Sequence, residues 1–352
     1  MANDLCLSIL IVVSVLLVGV GLGWENNKIV PVNPTPSAHY HVEPHNHLSF
    51  LANWDGPQYL SIAQHGYVET DQANFFPLYP LLIHIVNYFI PSLLYSALIV
   101  SWVSFVWATY FYLKIVKKLF KIKDNIIALQ GVLFFVLFPT AVFLMATYTE
   151  GLFAALSLGS IYFALQKRYI ITALFALFAT VAHPTGLFLI ALIAALLFEE
   201  GVKLIKILYA VVLSSIGLLG YILYDNSHFH KPLAFIDAQK AHSWLNFSIG
   251  HVLTEFATLN GMFLVLLIIS AIYWWKRRKS FSLYSALYVC IVFLGGKGLS
   301  GVCIYSLMAF PLQLMLFDYL KDKKLGYEVA IILSCILWTF VTLRYMGGYT
   351  GG

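Results

Sequence analysis

The chain has 352 residues, of which 61% are hydrophobic and only 11% are charged, and its mean hydropathy is +0.83. A soluble domain of this length would need far more charge to cover its surface, so this class is excluded. The apolar segments do not alternate with period two, which excludes a β-barrel. The net charge of +5 is spread in small clusters between apolar runs, a pattern that does not suit nucleic-acid binding. The sequence therefore predicts an all-α polytopic membrane protein that contacts membrane lipid and no nucleic acid.

The first apolar run covers residues 5–23. The segment before it lacks Lys and Arg and contains Asp4, which is not typical of a secretory signal peptide, so we expect a retained transmembrane helix. Residues 24–79 follow as a polar, aromatic and Pro-rich loop in which Lys28 is the only basic residue apart from histidines. By the positive-inside rule this first loop lies on the extracytoplasmic side.

The later apolar runs predict the remaining helices. The run 80–90 is too short to span a bilayer comfortably, so we expect it at the interface or as a partial helix. Crossings are expected at 92–119, 125–146, 149–166, 169–182, 184–198, 202–224, 251–275, 281–295, 301–319 and 326–345. The basic clusters then all fall on the cytoplasmic side, and 225–248 becomes a second extracytoplasmic loop. The pattern indicates one integral membrane domain, residues 1–352, with about eleven crossings.

Asp55 is the first candidate for chemistry. It follows Trp54 and precedes Gly56-Pro57 at the expected start of a short helix, so its carboxylate could simply cap that helix. One face of the helix would be formed by Tyr59, Ile62 and Ala63. Such a face predicts a helix that lies flat on the membrane, where the carboxylate could deprotonate an incoming hydroxyl group.

Asp55 also belongs to the first of four sequence blocks that follow one another along the chain. They are Trp54-Asp55-Gly56-(x)2-Tyr59-(x)2-Ile62-Ala63-(x)2-Gly66-Tyr67 with Phe75-Phe76-Pro77-Leu78-Tyr79-Pro80-Leu81; Phe138-Pro139-Thr140-Ala141-Val142-Phe143 with Tyr148-Thr149-Glu150-Gly151-Leu152-Phe153; Pro232-Leu233-Ala234-Phe235 with Ala238-Gln239 and Trp244; and Ala309-Phe310-Pro311-Leu312. In this order the blocks resemble the PIG-V family, the GPI mannosyltransferase II type of glycosyltransferase. The resemblance covers nearly the whole chain.

The resemblance implies a fold of the GT-C type with interfacial helices in the extracytoplasmic loops. It also implies transfer of a sugar, with mannose expected, from a polyprenyl-phosphate donor to a hydroxyl group of a glycan or glycolipid acceptor. The reaction would invert the anomeric carbon, with Asp55 as the general base. We expect no cofactor, since the lipid-linked sugar phosphate is a substrate, and dependence on a divalent metal is left open. It would take place outside the cytoplasm, at the cell membrane of a prokaryote or in the endoplasmic reticulum of a eukaryote.

Eleven further positions are candidates for substrate binding, drawn from these blocks and from polar residues near the expected outer helix ends. They are Trp54, Tyr59, His65, Tyr67, Tyr148, Glu150, His183, Gln239, Trp244, Lys297 and Tyr305. Glu150 could instead stabilise a helix dipole from the first turn. His183 could be structural, since a histidine at a helix break often is, and the side chain of Lys297 could snorkel to the interface.

The chain departs from the family pattern at the donor phosphate. The family usually places arginines where this chain has His183-Pro184-Thr185-Gly186, Trp244-Leu245-Asn246 and Ile304-Tyr305. The cations that could replace them are His183, Lys231, Lys240, His242 and Lys297. Two other functions remain open at this point: a polytopic transporter of lipid or sugar, and an inactive assembly subunit of an envelope-glycan pathway.

We expect neither a metal site nor a disulfide framework. The alternating histidines of the first loop invite a metal interpretation, but their Pro-rich surroundings favour an exposed loop. These histidines are His39, His41, His45 and His47. The four cysteines fall in or beside apolar runs, which does not indicate a disulfide pattern.

Overall fold

A computed structural model describes residues 2–29, 47–241, 259–294 and 302–348, and over these ranges the chain is helical with no strand. The helices of the amino-terminal half are α1 (Ala2–Ile29), α2 (Gly56–His65), α3 (Leu78–Asn87), α4 (Leu93–Leu119), α5 (Asn125–Val136), α6 (Glu150–Ala164), α7 (Tyr169–Ala182) and α8 (Gly186–Glu199). The later ones are α9 (Leu204–Phe229), α10 (Ala234–Ala241), α11 (Leu259–Trp275), α12 (Lys279–Leu294), α13 (Val302–Met308), α14 (Pro311–Leu320) and α15 (Lys324–Met346). Short 3₁₀ turns cover Ser49–Leu51, Thr70–Asn74 and Ala141–Leu144.

Four of the described helices are long and apolar enough to cross a bilayer by length and composition. These segments are Asn3–Lys28, Leu93–Leu119, Leu204–Phe229 and Lys324–Met346. Several other apolar helices are shorter, between 10 and 17 residues. The protein is therefore an all-helical, multi-pass membrane protein, while the count of about eleven crossings stays a prediction.

The chain forms two compact units, and the first consists of Met1–Val68, Phe75–Ala155 and Leu320–Gly352. Its framework is α4, which packs against α1, α3 and α5, while α15 packs against α1. At one end of α1 the carboxylate of Asp4 accepts hydrogen bonds from Lys114, at 2.9 Å, and from Lys117. This ion pair with two lysines of α4 joins α1 to the first unit, and the retained transmembrane helix stays a prediction.

The second unit consists of Glu69–Asn74 and Leu156–Tyr319. Its most extensive helix pair is α7 and α9, where a Cβ added at Gly217 would lie 2.4 Å from the carbonyl oxygen of Leu177. Glycine permits this close approach. The turn Thr70–Asn74 belongs to this unit, where the Tyr221 hydroxyl donates a 2.6 Å hydrogen bond to the carbonyl oxygen of Ala73.

Two predicted crossings are interrupted. The segment predicted at 125–146 ends as a helix at Val136 and continues as the turn Ala141–Leu144, because a proline, Pro139, follows and cannot donate a backbone hydrogen bond. The segment predicted at 301–319 is divided into α13 and α14 directly before Pro311. The Gln313 side-chain amide donates to the carbonyl oxygens of Ser306 and Leu307, at 3.0 and 3.3 Å, and so satisfies backbone groups at the break.

Two further predictions need correction. The helix predicted at 202–224 extends as α9 to Phe229, beyond the start assigned to the second loop, 225–248. The helix α10 lies within that range, where the resemblance already implies a helix. The apolar face of α2 was predicted to lie on the membrane, but its residues are almost completely buried in the protein. Tyr59 is 6%, Ile62 5% and Ala63 4% exposed. This face packs instead against α3 and α4.

Candidate active site

The candidate site of the first unit is built on the short segment from Leu51 to Gly56, between the turn Ser49–Leu51 and α2. Trp54 has φ of 60°, in the left-handed region, which costs a residue with a Cβ atom about 1–2 kcal/mol. The next residue, Asp55, is back in the right-handed region and forms the N-cap of α2, with Pro57 in the first turn. Strain of this kind persists only where surrounding contacts hold the backbone, and it is common at functional sites.

The Asp55 carboxylate does not cap the helix. No hydrogen bond joins it to the backbone of α2, and the structure shows no ion pair for it among the described residues. The side chain is half-buried, and burial raises the pKa of Asp55 to about 6. A carboxylate that is accessible to a substrate, makes no capping hydrogen bond and is more basic than an ordinary aspartate can accept a proton from a hydroxyl group.

The backbone around Asp55 is held by two buried tyrosines. The backbone N–H of Asp55 donates to the Tyr148 hydroxyl at 3.1 Å. The Tyr345 hydroxyl donates to the carbonyl oxygens of Leu51 and Asn53, at 3.1 and 3.4 Å. The Asn53 side-chain amide returns a 2.8 Å hydrogen bond to the carbonyl oxygen of Tyr345. The two tyrosine rings lie 5.8 Å apart in an edge-on arrangement.

Aromatic side chains of the first sequence block pack together beside the segment 51–56. The Tyr59 ring packs edge-on against Phe75 and Tyr79, with centroids 5.2 and 5.1 Å away, and lies 6.4 Å from Tyr148. Tyr79 is fully buried, and its hydroxyl is 2.7 Å from the Ser101 hydroxyl. The predicted binding residues Tyr59 and Tyr148 are thus brought close to Asp55.

The other predicted residues of the first block, Tyr67, His65 and Trp54, are less buried than Tyr59. The Tyr67 hydroxyl donates to the carbonyl oxygen of Phe75, which ties the end of the block to its second half. His65 is exposed in the last turn of α2. Trp54 is half-buried next to Asp55.

Glu150 is a second acid near Asp55. It begins α6, is 5% exposed, and is close enough to Asp55 for the two charges to repel each other. Its Oε2 atom has no hydrogen-bond partner among the described residues. An acid in the first turn of a helix is favoured by the helix dipole, which is a structural role open to Glu150. Neighbouring acids seldom ionise together, so the half-buried Asp55 and the buried Glu150 can serve different roles.

Three predicted residues lie in the second unit. The buried His183 ring accepts a 3.2 Å hydrogen bond from the backbone N–H of Thr185 at Nδ1, and this atom is also 2.7 Å from the Thr185 hydroxyl. Such an arrangement favours a neutral, structural histidine over a phosphate-binding cation. Gln239 is half-buried on α10, and Tyr305 is half-buried on α13 with its ring 6.3 Å from that of Tyr288.

Some of the residues discussed above lie outside the described part of the chain. They are Trp244, Lys297, His242 and three of the four alternating histidines of the first loop, His39, His41 and His45. The fourth, His47, stacks on Trp24 with a centroid distance of 5.1 Å. Within the described ranges no group of three or more His, Cys, Asp or Glu side chains could hold a metal ion.

Sequence reasoning missed Asn53, Thr147 and Tyr345. Asn53 is 2% exposed and directly precedes Trp54. Its polar side chain beside the Trp54-Asp55 motif could have indicated from the sequence that it supports the site. Thr147 donates from both its backbone N–H, at 2.9 Å, and its hydroxyl, at 3.1 Å, to the carbonyl oxygen of Leu51. Tyr345 is 292 positions from Asn53, and nothing in the local pattern of an apolar helix connects the two.

The sequence profile of the family described as Mannosyltransferase (PIG-V) matches residues 32–219, more than half of the chain and the part that contains both Asp55 and Glu150. No curated protein gives a significant match. Membership of this family favours an enzyme over the transporter and the inactive subunit considered above. The chain belongs to the PIG-V family of mannosyltransferases and is a membrane glycosyltransferase.

Proposed function

We propose that this mannosyltransferase takes mannose from a polyprenyl-phosphate carrier and transfers it to an acceptor hydroxyl group on the extracytoplasmic side, with Asp55 as the general base. The observation that carries the proposal is the half-buried Asp55 carboxylate, which makes no capping hydrogen bond on a backbone strained at Trp54. A carboxylate with only a capping role would be expected to bond to the free N–H groups of α2.

The reaction follows from the chemistry of the two substrates. The acceptor oxygen attacks the anomeric carbon of mannose, and its proton passes to the Asp55 carboxylate. The bond between the anomeric carbon and the phosphate oxygen breaks, and the lipid phosphate leaves with the electron pair. Because attack and departure occur on opposite faces, the anomeric configuration inverts. A lipid phosphate is already a stable anion, so its departure needs no second carboxylic acid.

The proposed side of the membrane is supported by the distribution of charge. The loop that holds Asp55 contains one lysine, whereas basic residues cluster at the expected inner helix ends. Nucleotide sugars are cytoplasmic, so a site on the other side requires a lipid-linked donor. Lys231 and Lys240, two of the cations expected to replace the family arginines, are exposed.

A donor assay tests the proposal. Purified full-length protein is expected to move labelled mannose from mannosyl-phosphoryl polyprenol to a membrane lipid extract, measured as label in the acceptor fraction. The same protein should give no transfer from a nucleotide-linked mannose when polyprenyl lipid is absent. Asp55→Asn protein purified in parallel serves as the control for contaminating activity. Transfer from the nucleotide sugar without polyprenyl lipid would contradict the proposed donor.

The transfer rate is expected to depend on the ionisation of Asp55. Since burial raises the pKa of this carboxyl to about 6, the rate should rise with pH through that value and level off above it. Stability should change in the opposite direction. A raised folded-state pKa stabilises the fold fully below the unfolded value, near 3.8, and this stabilisation is lost as pH rises through about 6.

Rate–pH and melting-temperature–pH profiles of wild type and Asp55→Asn check both expectations. The variant should lose this component of the stability profile. A wild-type rate that stays constant between about pH 5 and 7 would contradict an Asp55 base with this pKa.

A further inference from the structure

We propose that Tyr345, on the last described helix, is a positioning residue for Asp55: its hydroxyl group fixes the backbone segment that presents the catalytic carboxylate. The inference rests on the proposed function of Asp55. It assigns a role in the reaction to a residue outside the range 32–219 that identifies the family.

The hydrogen bonds between α15 and the segment before Asp55 run in both directions. The Tyr345 hydroxyl donates to the carbonyl oxygens of Leu51 and Asn53. In return, the Asn53 side chain donates to the carbonyl oxygen of Tyr345. This carbonyl lies in the last turn of α15 and also accepts a 3.1 Å hydrogen bond from the backbone N–H of Gly348. Asn53 therefore adds a second donor at the end of the helix, and the carbonyl oxygen of the same residue lies within reach of the tyrosine hydroxyl.

The contact is buried and tightly packed. Tyr345 is 4% exposed, and its ring packs edge-on against Phe143 and Tyr148, with centroids 5.3 and 5.8 Å away. Tyr148 in turn accepts the hydrogen bond from the backbone N–H of Asp55. The backbone from Leu51 to Asp55 is thus held at three positions. Thr147 and Tyr345 hold Leu51, Tyr345 also contacts Asn53 by sharing its one hydroxyl hydrogen between the two carbonyl oxygens, and Tyr148 holds Asp55.

The strained residue explains why such fixing matters. Trp54 lies between two of these positions, Asn53 and Asp55, and its left-handed φ is unfavourable without external contacts. Without the Tyr345 hydroxyl, Leu51 keeps its two hydrogen bonds from Thr147, but the carbonyl oxygen of Asn53 loses its hydroxyl donor. The backbone at Trp54 can then relax toward a more common conformation. A shift of about 1 Å at the neighbouring carboxylate can lower a rate by about 100-fold.

Tyr345→Phe is the test variant, because it removes the hydroxyl group and keeps the ring contacts and the Asn53 hydrogen bond to the backbone. Tyr327→Phe is its matched control on the same helix. The Tyr327 hydroxyl also donates to a carbonyl oxygen, that of Gln130 at 3.3 Å, and its ring also packs against an aromatic residue, Phe134. Eighteen residues of helix place Tyr327 roughly 27 Å from Tyr345 along the helix axis.

In the transfer assay, Tyr345→Phe is expected to lower kcat by about 10- to 100-fold and to change the donor KM far less. Tyr327→Phe should keep the wild-type kcat. If both variants remain folded and transfer at the same rate, Tyr345 is only structural and the inference is overturned.

Hydrogen–deuterium exchange provides a readout that does not need activity. Exchange in the peptide that covers residues 51–58 should increase in Tyr345→Phe and stay unchanged in Tyr327→Phe. Unchanged exchange in both variants would overturn the inference even if the proposed donor were correct. Conversely, faster exchange in Tyr345→Phe together with an inactive wild type would leave the positioning intact and reject the proposed function.

Discussion

Asp55→Asn is expected to lower the transfer rate by about 100- to 10,000-fold while the protein inserts, folds and melts normally. The amide has nearly the size of the carboxylate but cannot take the proton of the acceptor hydroxyl. Because burial of the ionised carboxylate is unfavourable, the neutral amide should leave the melting temperature at neutral pH equal to that of wild type or higher. Single-turnover transfer rates and thermal unfolding of the purified variant measure the two effects.

Asp71→Asn is a suitable control, since Asp71 is an exposed acid in the turn Thr70–Asn74. It should transfer mannose at the wild-type rate. An Asp55→Asn protein with wild-type transfer would show that Asp55 is not the base. In that case Glu150 becomes the next acid to replace, because its Oε2 atom is buried without a partner among the described residues.

Gly56→Ala is expected to damage both the fold and the rate. A Cβ atom at this position would lie 2.3 Å from Oγ1 of Thr147, which is held in place by its hydrogen bond to Leu51. Relief of such an overlap costs about 1–3 kcal/mol of unfolding free energy. Since Gly56 directly follows Asp55, the displacement should also lower the rate by about 100-fold. Chemical unfolding and transfer assays measure these losses.

A double variant tests whether the loss in Gly56→Ala comes from the overlap with Thr147 or from alanine itself. The double variant Gly56→Ala/Thr147→Ala lacks the overlapping oxygen, so its combined loss should be smaller than the sum of the two single losses. Gly21→Ala is the comparison without an overlap, because a Cβ atom there meets nothing within 4 Å. Alanine in a helix is favoured over glycine by up to about 1 kcal/mol, so the unfolding free energy of this variant should not fall. Strictly additive losses at Gly56 and Thr147 would contradict the steric explanation.

The order of helices and the location of Asp55 follow from the sequence because both have local causes. Apolar runs, prolines and basic clusters fix where α4, α7 and α15 begin and end to within a few residues. Pro139 and Pro311 also mark breaks, and both were available as signals for the two interrupted segments.

The partners of each helix face could not be predicted. Tyr59, Ile62 and Ala63 form an apolar face whether they meet lipid or protein, and amphipathic periodicity does not distinguish the two. The same limit applies to Tyr345. Its contacts with Leu51 and Asn53 join positions 294 and 292 residues apart, and only the folded packing of α15 brings them together.

This sequence separation has a consequence for biosynthesis. At about 5–20 residues per second, Tyr345 is synthesised roughly 15–60 s after Asp55. During that interval the carboxylate segment is made but lacks its partner from α15. A truncated chain that contained the entire family-matched range, 32–219, would still lack it. If Tyr345 sets the position of Asp55, the enzyme acquires activity only when α15 has been inserted. Products of premature termination that lack α15 would therefore be inert even though they carry both Asp55 and Glu150.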